Sequence, residues 1–200
     1  MSWIKIISYE EAVGKLKSLY DRVKGPQNNI DNILQIHSLR PHTLEGHMVL
    51  YKNVLHHRDN TLPKWFLENL GVFVSHLNRC EYCVQHHFSG MKRLLNDDQK
   101  SQAIWDAITN NSLDKVYDHK QLMAFEYARE LTQYPEEIKE ETIQNMRDAG
   151  WKDDEILEIN QVVSYFAYAN RTVQGLGVNT KGDVLGLSPN SSEENNWSHH

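Results

Sequence analysis

Apolar residues recur at intervals of three and four along almost the whole chain, and no run of β-branched residues alternates strictly enough to make a strand. That spacing predicts an all-α protein. Boundary residues divide it into helices. Ser8 and Glu11 form a capping box expected to open a helix through about Val23, closed by Gly25-Pro26. A short helix opens at Asn29 and Asp31 and ends near His37-Ser38. Pro41 suits the first turn of a third helix reaching about His56, because the donor that proline lacks has no partner there anyway. Pro63 to Leu77 carries Phe66, Leu70, Phe73, Val74 and Leu77 on one stripe, with Trp65 and Val72 on the other side. A helix apolar on two sides is buried on two sides. The next helix runs from near Cys80 to Leu95, and others are expected over Asp98 to Thr109, Asp118 to Thr132, Pro135 to Ala149 and Asp154 to Leu176.

With 200 residues, 40% of them hydrophobic, the chain can bury one sizeable core, and neither a linker nor a repeat divides it. Residues 1–187 are expected to form a single domain, followed over 188–200 by a polar tail that is loose or packs on a neighbour. The tail has little to bury except Trp197 and ends in His199-His200, natural or the remnant of a tag. A formal net charge of −6 disfavours nucleic acid as a partner, since phosphate binding rests on concentrated Lys and Arg. No stretch approaches the roughly 20 apolar residues of a membrane span. The N-terminal residues lack the apolar core and cleavage site of a leader, so a soluble, cytoplasmic protein is the expectation.

The chain has 2 cysteines, Cys80 and Cys83, too few and too close to staple a secreted scaffold. In a reducing compartment such a pair points to redox chemistry or metal binding. Spacings of three and four place Cys80, Cys83 and His87 on one helical face. His87 is placed to take the Cys83 proton, whereas the helix N-terminus favours a thiolate at Cys80; spacing alone leaves the choice of nucleophile open. Glu68 lies on the preceding helix, and a short turn through Leu77-Asn78-Arg79 would bring it to His87. A carboxylate there would orient the imidazole and raise its basicity. Glu81 and His86 fall off this face and are expected at the surface or the rim of the site. His47, His56 and His57 read as ordinary surface or interface residues, and Asn170-Arg171 as facing a pocket or a subunit seam. Zinc is the chemical rival: Cys80, Cys83 and His87 would need a fourth ligand such as His76 or His47, and no second ligand pair with clear spacing is present.

Glu68, twelve positions to Cys80, then Cys-x-x-Cys-x-x-x-His ending at His87 resembles the signature of the AhpD-like alkylhydroperoxidases in the carboxymuconolactone decarboxylase superfamily. The His37 to Pro41 segment and the Asn170 to Gly177 terminus are similar to those of its peroxidase-related branch. The resemblance implies a single-domain all-α fold with a central antiparallel helix pair carrying the site, assembled as trimers or hexamers. It further implies that Cys83 takes the sulfenic acid or mixed disulfide, that Cys80 donates a proton and closes the Cys80-Cys83 disulfide, and that His87 with Glu68 relays protons. The implied partners are a small hydroperoxide and an external dithiol or protein reductant, with no cofactor and no metal. Tyr82 departs from the pattern, since the best-studied members carry a histidine between the cysteines, so their lipoamide-linked reductase partnership is not carried over. Two other readings compete: a non-catalytic oligomeric module that senses redox state or binds zinc, and a carboxymuconolactone decarboxylase-type enzyme. Decarboxylases of the superfamily generally lack the cysteine pair.

Overall fold

The computed structural model describes residues 2–189, 191 and 196–200. Among them the regular structure is helical: α1 (Gly14–Val23), α2 (Asn32–Gln35), α3 (Pro41–Tyr51), α4 (Lys64–Leu77), α5 (Glu81–Leu95), α6 (Asp98–Thr109), α7 (His119–Gln133), α8 (Glu140–Asp148) and α9 (Asp153–Gly175). No helix among these residues is long and apolar enough to cross a membrane.

Helix starts follow local chemistry. Asp97 caps α6 by accepting from the Lys100 N–H at 2.9 Å, and Asp118 with Gln121 makes a capping box at the start of α7. The first helix departs from its expected start. The reciprocal bonds between Ser8 and Glu11 do form, at 3.1 and 3.3 Å, yet they close only an isolated turn. Gly14, at φ +54°, redirects the chain and α1 begins there, because a left-handed residue interrupts helical propagation. The third helix also departs from expectation: beyond Tyr51 it widens into a π-helical turn over Lys52–His56. That turn delivers His56 into the interior.

The centre of the molecule is α4, buried at every residue from Phe66 to Ser75 and packed against α5, α9 and α7. Gly71 permits the approach of α9, since a Cβ there would lie 2.1 Å from the Phe166 ring. The turn from α4 to α5 is tight: Arg79 adopts φ +55°, and the Cys80 N–H donates to the Ser75 carbonyl at 2.8 Å. The two helices therefore fold back antiparallel, as the sequence resemblance implies. Around Cys80 and Cys83 a smaller apolar cluster forms from Ile36, Tyr82, Val173 and Val178.

The described part of the 188–200 segment is not a loose tail. Trp197 is buried beneath the Arg22 guanidinium, Lys52 donates to the Asn196 carbonyl at 2.8 Å, and the buried His199 ring bonds the Val23 carbonyl at 2.9 Å. Its burial is explained by the aromatic body of Trp197 and by backbone acceptors left free at the end of α1. Asn190 and residues 192–195 of that segment lie outside the described residues.

Candidate active site

Glu68 sits on α4 with 2% of its surface exposed, an acid that must be compensated where it lies. His87 of α5 supplies the compensation: its Nδ1 donates to Glu68 Oε2 at 2.7 Å. A carboxylate can only accept, so the Nδ1 position carries the hydrogen and Nε2 is left for other work. The other oxygen, Oε1, lies 3.4 Å from His56 Nε2, outside hydrogen-bond alignment. Burial pushes the Glu68 carboxyl up, but the charge and hydrogen bond of His87 together with His56 outweigh it and hold the group below the usual carboxylate range. Burial drives His56 down to about 4 against the pull of Glu68, so its ring is neutral near pH 7. Phe166 meets the His87 ring edge-on, with centroids 4.5 Å apart, and fixes its plane.

The two thiols are free and their sulfurs lie 3.0 Å apart. They are not equivalent. The hydrogen bond from Cys83 holds Cys80 below its ordinary value, against burial and with help from the Cys83 backbone N–H. Burial, followed by the nearby Cys80 sulfur, pushes Cys83 well up, and hydrogen bonding to Asn170 and Ser75 only partly offsets this. Of the two, Cys80 at the N-cap of α5 gives up its proton more readily and Cys83 keeps its own. The side chains that hydrogen-bond at the Cys83 thiol are Cys80, Asn170 and Ser75. Asn170 is fully buried and donates to Ser75 Oγ at 3.0 Å while accepting from Asn78 at 2.9 Å. Arg171 beside it is exposed.

Glu68, Cys83 and His87 line one cavity of about 40 Å³, shared with Asp31, His47, Tyr51, Tyr165 and His199. His47 and His56, expected at the surface or an interface, are buried within the chain, and His86, expected at the surface or the rim of the site, is buried as well but lines this same cavity. His47 is buried among His37, Tyr51 and Tyr165, where burial lowers it to about 3. His86 is buried against Asp183 at 3.1 Å. Helical spacing does not reveal these placements, because the covering segments come from elsewhere in the chain. Glu81 is exposed, as expected.

The Tyr82 ring packs with both cysteines, but its hydroxyl is engaged elsewhere. Its hydroxyl donates to Asp183 at 2.7 Å and accepts from the Ile33 N–H at 3.1 Å, and Asp183 also takes the Asn32 N–H. The residue thus ties α5 to α2 and to the segment after α9. Its proton is held firmly: burial, with Asp183 next, pushes the phenol well above its ordinary range.

Metal ligation finds no support in this geometry. His76 packs against Trp105, away from the sulfurs, and no group of three or more His, Cys, Asp or Glu among the described residues could hold an ion.

Comparison with solved structures decides the architecture. A peroxidase-related protein with an alkylhydroperoxidase AhpD core from Ralstonia eutropha JMP134 superposes with a TM-score of 0.75 at 18% identity, over 92% of this chain and 96% of that one. The fold is AhpD-like. An uncharacterized peroxidase-related protein from Silicibacter sp. TM1040 shares it at a TM-score of 0.69 and 22% identity, over 80% of this chain and 82% of that one. The AhpD-like fold also serves the debrominase Bmp8, solved as a cysteine-to-alanine variant in complex with 2,3,4-tribromopyrrole; it matches at a TM-score of 0.68 and 14% identity, over 90% of this chain and 94% of that one. No protein-family model and no curated protein matches the sequence.

Proposed function

We propose that the protein is a thiol-dependent peroxidase that reduces a small hydroperoxide with the Cys80 and Cys83 pair. The observation that carries this reading is the constellation itself: a Glu68-anchored His87 and the Cys83 thiol on one cavity, with a second sulfur 3.0 Å behind it. Cys83 passes its proton to the Cys80 thiolate and attacks the terminal oxygen of the hydroperoxide. The O–O bond breaks, Cys83 becomes a sulfenic acid, and the departing alkoxide or hydroxide takes a solvent proton relayed at Nε2 of His87, whose Nδ1–H stays on Glu68. Cys80 then attacks the sulfenic sulfur, its own proton leaves with the hydroxide as water, and a Cys80-Cys83 disulfide results. An external thiol reductant returns two electrons. No step calls on Tyr82 as a proton carrier, consistent with its engagement by Asp183.

The cavity supports a small oxidant. One water needs roughly 10–15 Å³ of such space, so about 40 Å³ admits a peroxide head group and not a substituted pyrrole. The test is turnover of hydrogen peroxide and cumene hydroperoxide with a dithiol, followed for wild type, Cys83→Ser and Cys80→Ser. Loss of turnover in both variants is expected, with a dimedone-trappable sulfenic acid that forms slowly on Cys83 in Cys80→Ser and faster at alkaline pH, where Cys83 ionises without Cys80. Wild-type turnover retained by Cys83→Ser would sink the proposal.

A further inference from the structure

Both sulfurs are buried, at 1% exposure each, yet they face different spaces. Cys83 borders the small cavity of about 40 Å³ with Glu68 and His87. Cys80 forms the floor of an open groove of about 320 Å³ between the start of α5 and the end of α9, walled by Glu81, Gln85, Val173, Gln174, Val178 and Thr180. Two of these residues are aliphatic, three are neutral and polar, and the one charge among the described lining residues is the exposed Glu81 carboxylate, which accepts from Gln85 at 3.0 Å. No basic side chain among the described residues lines it. We propose that this groove is a separate entry for the regenerating thiol, which attacks Cys80 from the side opposite the oxidant, and that it selects slender, uncharged thiols over anionic ones.

The chemistry follows from the two faces. Cys83 is screened from the groove, so an incoming thiolate bonds to Cys80; the Cys80-Cys83 bond breaks and its electron pair goes to Cys83, which takes a proton from the His87 side of the small cavity. A second thiol then attacks the incoming sulfur, forms a new disulfide with it and expels Cys80. Cys80 carries the lowered thiol of the pair, the better leaving group for that exchange. A sulfur at the bottom of a groove is open to a narrow thiol arm and closed to a flat protein face. The Glu81 charge repels anions at the mouth.

This inference rests on the proposed dithiol chemistry, but its test does not need peroxide turnover. Protein oxidised with diamide to the Cys80-Cys83 disulfide is mixed with 2-mercaptoethanol or its anionic analogue 2-mercaptoethanesulfonate, quenched in acid and mapped by fragment-ion mass spectrometry. The expected adduct is on Cys80, with the anionic thiol slower by about fivefold beyond its rate ratio on a model disulfide, the factor of a roughly 1 kcal/mol charge contact. Glu81→Gln is expected to close that gap. Gln174→Trp, which fills the groove, is expected to slow both thiols by about tenfold, while Gln174→Ala, which removes only the Asn78 hydrogen bond, leaves them near the wild-type rate. An adduct on Cys83, or a Gln174→Trp rate equal to wild type, overturns the separate entry. Equal selectivity in wild type and Glu81→Gln overturns the charge filter. If peroxide turnover is absent while the adduct still maps to Cys80, the peroxidase reading fails and the groove stands.

Discussion

Two adjacent sulfurs hold their protons unequally, and at the scale of the residue the chemistry grows from that difference. Cys80 is held down by a hydrogen bond from Cys83, and Cys83 is held up by burial. Thiolate absorbance at 240 nm is therefore expected to rise below the free-cysteine midpoint of about 8.5 in wild type. Cys83→Ser should keep that low midpoint, because the serine hydroxyl can still donate to Cys80, whereas Cys80→Ser should titrate above about 8.5 by the same reference. A low midpoint in Cys80→Ser would place the charge on the wrong sulfur. Glu68 works one residue further out. Glu68→Gln removes the carboxylate that orients His87, and the rate of Cys83 oxidation should fall by about 10- to 100-fold, measured by stopped-flow with pre-reduced protein. The sequence made the Glu68 to His87 pairing legible, because Glu68 lies twelve residues before Cys80 and a short turn between the two helices leaves few other places for that acid. It did not expose Ser75, which carries no pattern of its own and becomes a neighbour of Cys83 only through the turn that sets Cys80 against its carbonyl.

At the scale of elements, the α4 and α5 pair is held from two sides. Phe166 of α9 fits into the space above Gly71 and reaches the His87 ring, so the close approach of helices also sets the plane of the imidazole. Gly71→Ala should force the ring aside and cost about 1–3 kcal/mol, read from urea denaturation midpoints. From the other side, Tyr82 bridges α5, α2 and Asp183. Tyr82→Phe leaves a buried carboxylate without its hydroxyl donor and the Ile33 N–H without its acceptor, a loss of about 1–3 kcal/mol. Unchanged stability in this variant would mean that the bridge contributes nothing. Helix existence was readable from spacing for every long element; the start of α1 was not, because the bonds of a capping box form as readily in an isolated turn.

Across the whole molecule, four buried histidines share one electrostatic fate. Burial lowers His37, His56 and His199 to about 4 and His47 to about 3. Each is neutral in the folded protein and takes a proton in the unfolded chain near pH 6.5, so the unfolded state binds more protons below that pH. Their contribution to stability is complete above 6.5 and is lost as pH falls toward 4. Asp31 acts oppositely. Burial raises it to about 6, so the folded state binds the extra proton between the ordinary carboxylate value and 6, which offsets one histidine in that range. The net expectation is a steep acid loss, about 1.4 kcal/mol per pH unit for each uncompensated proton, visible as a falling urea midpoint between pH 6.5 and 4. A midpoint independent of pH over that interval would contradict the burial of these rings.

The order of residues alone determined that this chain is helical, that Cys83 and His87 stand one turn apart, and that a short turn can bring Glu68 to His87. These are consequences of a fixed helical period and of turns only a few residues long, both local properties. Tertiary structure decided which sulfur gives up its proton more readily, what buries the histidines and which space each thiol faces. Those depend on desolvation and on segments distant in sequence, such as Asp183 and His199, meeting at one place, and no local period encodes such meetings.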